Sequence, residues 1–129
     1  MPQCIDITTA SHRPFFSLPT YLLIEAIRGS ANGDREAGEP APTEETVRVA
    51  TNLIAEIPFR ILGYPDITPF YGEIHISWTH GPKQVSLMCF PDRAPLVHYY
   101  HRMPGLPSVH DIEEASADRL VHWLRWLND

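Results

Sequence analysis

The residues of this sequence best equipped for chemistry are its seven histidines. His98-x-x-His101 has the spacing of a metal-ligand pair on a helix. Yet residues 96–101 (LVHYYH) read as a strand, where positions three apart point to opposite faces. His75 and His98 share a face but belong to different strands, and Met88 between them is a poor zinc ligand. Only Glu73 adds a carboxylate to that pair. No metal or other cofactor is expected.

Nucleophiles fare no better. Cys4 and Cys89 are far apart, with no CxxC, so they are expected as reduced thiols. Cys89 falls on the apolar side of a strand, where burial would keep its thiol protonated. Ser77 and Ser86 come within reach of His75 or His98, but a serine on a sheet face has no elbow or helix N-terminus to build an oxyanion hole. GxSxG, P-loop, GxGxxG and HExxH patterns do not occur. The adjacent carboxylates, Glu44–Glu45 and Glu113–Glu114, would diverge on a helix.

The charges say more about partners. Sixteen acidic residues against ten basic ones give a net charge of −6 in 129 residues. Clustered Lys and Arg drive phosphate-backbone binding, and here the basic residues are scattered, so nucleic acid is not the expected ligand. The acids do cluster. One stretch holds Asp34, Glu36, Glu39, Glu44 and Glu45; another holds Asp111, Glu113, Glu114 and Asp118. The plain reading of both is solvated loop and helix N-terminus. The sharper one is a pair of patches that dock on a basic protein.

The elements that must position these groups follow from periodicity. Residues 3–9 alternate weakly and suggest a short strand or arm. A first helix is expected over about Pro19–Arg28, with Gly29 ending it. Residues 29–42 (GSANGDREAGEPAP) then form a mobile linker. Thr43 caps a second helix, whose Val47, Ala50, Leu53, Ile54 and Ile57 recur at three and four residues, and Pro58 stops it. Pro65 and Pro69 make residues 58–72 an irregular connector.

Residues 73–79 (EIHISWT) alternate strictly and open a three-stranded antiparallel meander with 84–90 and 96–101. Opposing Thr79 to Gln84 sets Ile74, Ile76 and Trp78 against Cys89, Leu87 and Val85. Opposing Phe90 to Leu96 then gives the other face two rows: His75, Met88 and His98, and beside it Ser77, Ser86 and Tyr100. Residues 102–110 read as a loop. A last helix ends at Leu127, capped by Ser116 or entered through 108–115. Its Trp123 and Trp126 lie on adjacent sides, and an exposed Trp126 would be an anchor for a partner or a homodimer. The expected fold is a single two-layer α+β domain over 1–129, in the order α-α-β-β-β-α.

Residues 65–78 (PDITPFYGEIHISW), following the amphipathic helix and followed by strands that include Tyr99-Tyr100, resemble a group of small uncharacterised bacterial proteins. Their pattern is a helix, a proline-bearing connector, and a Gly-x-Ile-x-Ile-x-Trp strand opening a meander. The resemblance spans roughly residues 43–102. It implies the fold and transfers no catalytic residue.

With no signal-like N-terminus and no apolar run near the roughly 20 residues of a membrane span, a cytoplasmic location away from membranes is expected. The expected function is that of a non-enzymatic acidic protein-binding module, as immunity proteins, antitoxins and phage inhibitors are. The competing expectation is a small enzyme or ligand-binding or metal-binding protein using His75, His98 and Tyr100.

Overall fold

A computed structural model describes residues 18–33, 38–105 and 108–129. Glu36 and Asp34, the proposed strand at 3–9, and Cys4 lie outside the described residues. Helices α1 (Leu18–Ala31), α2 (Glu44–Ala55) and the single turn α3 (Phe59–Leu62) precede strands β1 (Asp66–Phe70), β2 (Glu73–His80), β3 (Lys83–Cys89), β4 (Leu96–His101) and β5 (Val109–Glu114). Helix α4 (Ala117–Leu127) closes the chain.

The helix ends have local causes. The Thr43 hydroxyl accepts from the Thr46 N–H at 3.1 Å, and Glu44 and Glu45 occupy the positive first turn of α2. Ser116 does the same for α4, accepting from the Arg119 N–H at 3.2 Å. Helix α1 runs through Gly29 to Ala31, so the stop expected at Gly29 is two residues early. The stretch read as a linker is correspondingly shorter: beyond α1, Glu39 reaches across to the β1–β2 turn, and Pro42 is buried.

The five strands form one antiparallel sheet in sequence order. A three-stranded meander is therefore incorrect; it forms the middle of a wider sheet. Residues 66–70 are a strand in spite of Pro69 because β1 is an edge. Phe70 and Glu73 flank a two-residue turn and form a hydrogen-bonded pair, so Pro69, one position back, turns the place of its missing N–H away from β2. Tyr71 (φ 48°) and Gly72 (φ 87°) both adopt the left-handed region, which makes this turn type I′. Residues 109–114 are the opposite edge, and their polar VHDIEE sequence gave no apolar alternation to betray a strand.

The β2–β3 register matches the apolar pairing: Ile74 opposes Cys89, Ile76 opposes Leu87 and Trp78 opposes Val85. The β3–β4 register is two residues from expectation, with Met88 rather than Phe90 opposite Leu96. A two-residue slip keeps every side chain on its face, so hydrophobic patterning cannot resolve it.

Among the described residues, the helices pack on one side of the sheet. There Ile74, Ile76, Val85, Leu87 and Val97 meet Ile27, Ile54, Leu62, Leu120 and Leu124, all fully buried. The Trp78 indole donates to the Leu62 carbonyl at 2.5 Å, which ties α3 to the sheet.

Candidate binding surface on the second face of the sheet

Alternation along each strand builds the second face. Burial in β2 switches residue by residue, with Ile74, Ile76 and Trp78 inside and Glu73, His75 and Ser77 half-buried on the other side. β1 contributes Asp66, Thr68 and Phe70; β5 contributes His110, Ile112 and Glu114. The observed rows are His75–Met88–Leu96–Glu114, Ser77–Ser86–His98–Ile112 and Thr79–Gln84–Tyr100–His110.

This separates the expected histidine pair. His75 lies near the β1–β2 turn, its Nε2 2.8 Å from a Glu73 carboxylate oxygen and its ring 6.0 Å from that of Phe70. His98 lies in the neighbouring row toward β5. Its ring is edge-on to His110 at 5.7 Å and tilted to Tyr100 at 6.5 Å. The expected row of His75, Met88 and His98 is thus corrected, and the local cluster is His98, Tyr100 and His110. Between the two sites the Ser77 and Ser86 hydroxyls are hydrogen-bonded at 2.9 Å, and the Gln84 amide donates to Ser86 at 3.1 Å.

Burial, and then the repulsion of His110, lowers the pKa of His98 below the ordinary histidine value. The ring is therefore neutral near pH 7. It can accept or donate a hydrogen bond. At the end of this face a groove of about 400 Å³ is lined by Thr79, Lys83, Gln84, Tyr100 and Arg102. Among the described residues, no three of His, Cys, Asp and Glu converge to hold an ion. Cys89 faces the core, and burial pushes its thiol up to about 12, so it stays protonated.

Of the two acidic stretches, Asp34 and Glu36 lie outside the described residues, and the described members have separate surroundings. Glu39 accepts from the Tyr71 N–H at 3.0 Å and steadies the β1–β2 turn. Glu45 is in a bidentate pair with Arg48 on the exposed side of α2, which lowers its pKa through the hydrogen bond and then the opposite charge. Glu44 is exposed in the first turn of the same helix. Strand geometry splits the second cluster. Asp111 and Glu113 point to the helix side, and Glu114 to the other face. Glu113 accepts from the Trp123 indole at 2.9 Å, and Asp111 accepts from the Ile112 N–H at 2.8 Å.

Trp126 is not an exposed anchor. It is half-buried against Tyr99 and His101, with the Lys83 ammonium 4.9 Å from its ring. Lys83 also donates to the Trp126 carbonyl at 2.9 Å, at the negative end of α4. Trp123 stacks on Tyr99 at 3.6 Å.

No family model, curated protein or solved structure matches this chain. The site is therefore read from its own chemistry. Sequence reasoning placed His98 and Tyr100 on the second face and missed Phe70, His110 and Ile112, because it read residues 58–72 as an irregular connector, 102–110 as a loop and 108–115 as a possible entry to the last helix. The only signal for the last two was a histidine and an isoleucine two apart in an otherwise acidic run. Among the described residues, no helix is long and apolar enough to cross a membrane.

Proposed function

We propose that this chain is a non-enzymatic protein-binding module that acts in the cytoplasm by occupying a partner's surface, in the manner of immunity proteins, antitoxins and phage inhibitors. One observation carries the reading. The helices pack on one face of the sheet, while the opposite face presents Phe70, Met88, Tyr100 and Ile112 among histidines, with Asp66, Glu73 and Glu114 around them. Aromatic, sulfur-bearing and aliphatic contacts inside a charged margin are the usual anatomy of a protein interface. Acidic groups at that margin, on a chain of net charge −6, favour a basic partner by steering and by complementarity.

This moves the contact surface away from the acidic stretches themselves. Glu39, Glu45, Asp111 and Glu113 each accept a hydrogen bond within the chain. A photo-reactive side chain placed at Phe70 or Tyr100 should crosslink the same host protein, and one at Glu45 should not. Reversing Glu73 and Glu114 to Arg should then weaken the purified pair by about tenfold, mostly through slower association. Unchanged affinity, or crosslinking through Glu45 alone, would refute the assignment.

A small-molecule reading has one observation in its favour: neutral His98 stands beside Tyr100 and the groove that ends at Arg102. It predicts a ligand whose binding is lost in Tyr100→Ala and is unaffected by reversal of Glu73.

A further inference from the structure

The two edges of the sheet are closed by different chemistry. On β1 the outward backbone position at residue 69 is a proline, which offers no N–H to an added strand. On β5 the Ala115 N–H donates to the Pro95 carbonyl at 2.9 Å. Alternation from that bond turns the backbone groups of Asp111 and Glu113 toward β4 and those of His110, Ile112 and Glu114 outward. The outward Ile112 N–H is held at 2.8 Å by the carboxylate of its own neighbour, Asp111. A proline closes an edge permanently, whereas a side-chain hydrogen bond can be exchanged for a better one.

We propose that β5 is a pairing edge and that its occupant is β5 of a second copy, antiparallel about a two-fold axis through Ile112. The outward groups of residues 110, 112 and 114 then meet those of 114, 112 and 110. Ile112, 51% exposed in the single chain, packs against itself. The His110 imidazole opposes the Glu114 carboxylate on both sides of the axis, and such pairs stabilise adjoining strands. On the helix side Asp111 opposes Glu113, a like-charge contact that weakens the pairing. The Trp123 indole at 2.9 Å holds the Glu113 carboxylate back toward α4 and reduces that cost. Helix α4 packs over β2, β3 and β4. The pairing trades the Asp111 bond at each Ile112 N–H for a carbonyl of the other copy and joins two sheets into one. The pairing uses the edge of the sheet and the partner reading its face; they share Ile112 and Glu114, whereas Phe70 and Glu73 on the far edge belong to the partner reading alone.

The test uses the full chain in a Cys4→Ser background, with Cys89 left in the core. Light scattering across the micromolar to millimolar range should give a dimer mass. Ile112→Cys should oxidise to a disulfide dimer, because directly opposed residues of a hydrogen-bonded pair lie about 5.5 Å apart at Cα, within disulfide reach. His110→Cys alone should crosslink at least about tenfold more slowly, since it faces residue 114 of the other copy. Joining it with Glu114→Cys should restore the rate. Ile112→Pro removes an outward N–H and spares the bonds to β4, so it should give a monomer with unchanged circular dichroism. Asp111→Asn should tighten the dimer by about tenfold by relieving two like-charge contacts. A monomer at every concentration, a dimer that survives Ile112→Pro, or Ile112→Cys crosslinking no faster than His110→Cys would overturn the proposal.

Discussion

Leu87 and Met88 are neighbours on one strand, and the two faces of the sheet meet different surroundings. Leu87 is fully buried under the helices, while Met88 is half-buried on the other face, between His75 and Leu96. Burial on the first face fixes register to the residue, because a slip of one would expose Ile74, Ile76 and Trp78 together. The second face carries no such constraint. Its side chains are free to be chosen for contact, which is why the binding reading rests there. The sharpest way to break this contrast is truncation of the two neighbours. Leu87→Ala should lower stability by about 3 kcal/mol, the removed methyl groups leaving a cavity, and Met88→Ala by less than about 1 kcal/mol. Urea midpoints measure both, and equal losses would mean that the second face is also a packed core.

A second test asks whether the helix-bearing face depends on one polar bond. The Trp78 ring is buried, and its N–H satisfies the Leu62 carbonyl in the turn of α3. Trp78→Phe keeps most of the apolar volume and orphans that carbonyl, so a loss of about 1–3 kcal/mol is expected. Thr43→Ala should cost less, about 1 kcal/mol, because helix α2 loses the acceptor for its Thr46 N–H. Thermal unfolding separates the two, and a larger effect at Thr43 would reverse the ranking.

The same contrast explains what was legible in the sequence. Helices α2 and α4 announced themselves through apolar spacing and through Thr43 and Ser116, both of which cap as expected. The β2–β3 pairing was legible because each apolar residue on one strand needs an apolar partner on the next. Information failed where burial stops. The edge strands β1 and β5 bury little, so Pro69 read as part of an irregular connector and VHDIEE as the end of a loop and the approach to the last helix. With β5 unseen, Asp111, Glu113 and Glu114 looked like one acidic patch, and strand alternation divides them. The β3–β4 register was two residues out because parity preserves the face and the Phe90–Pro95 connection sets the offset. That offset moved His98 out of the row of His75, and the β4–β5 pairing sets it beside His110. The binding surface was therefore recognised as a face before its internal arrangement could be known.

The smallest effect, and the one that tests the second face directly, is the titration of His98. Its proton is disfavoured in the folded protein by burial and then by His110, while the groups around it are the ring of Tyr100, Ser86 across β3 and Ile112 across β5. None of these supplies a compensating negative charge. Below the unfolded-state value near 6.5 the unfolded chain binds this proton more readily than the folded one. Stability should therefore be flat with respect to His98 above that pH and should fall as pH drops through the window between the unfolded and the lower folded pKa. His98→Gln should flatten that part of the profile and leave stability at pH 8 nearly unchanged. Removing the repulsion with His110→Gln should shift the His98 titration upward, toward its ordinary value, when followed by the C2 proton resonance. A His98 resonance that titrates identically in both backgrounds would mean that the two rings do not act on each other, and the cluster on β4 and β5 would reduce to separate surface side chains.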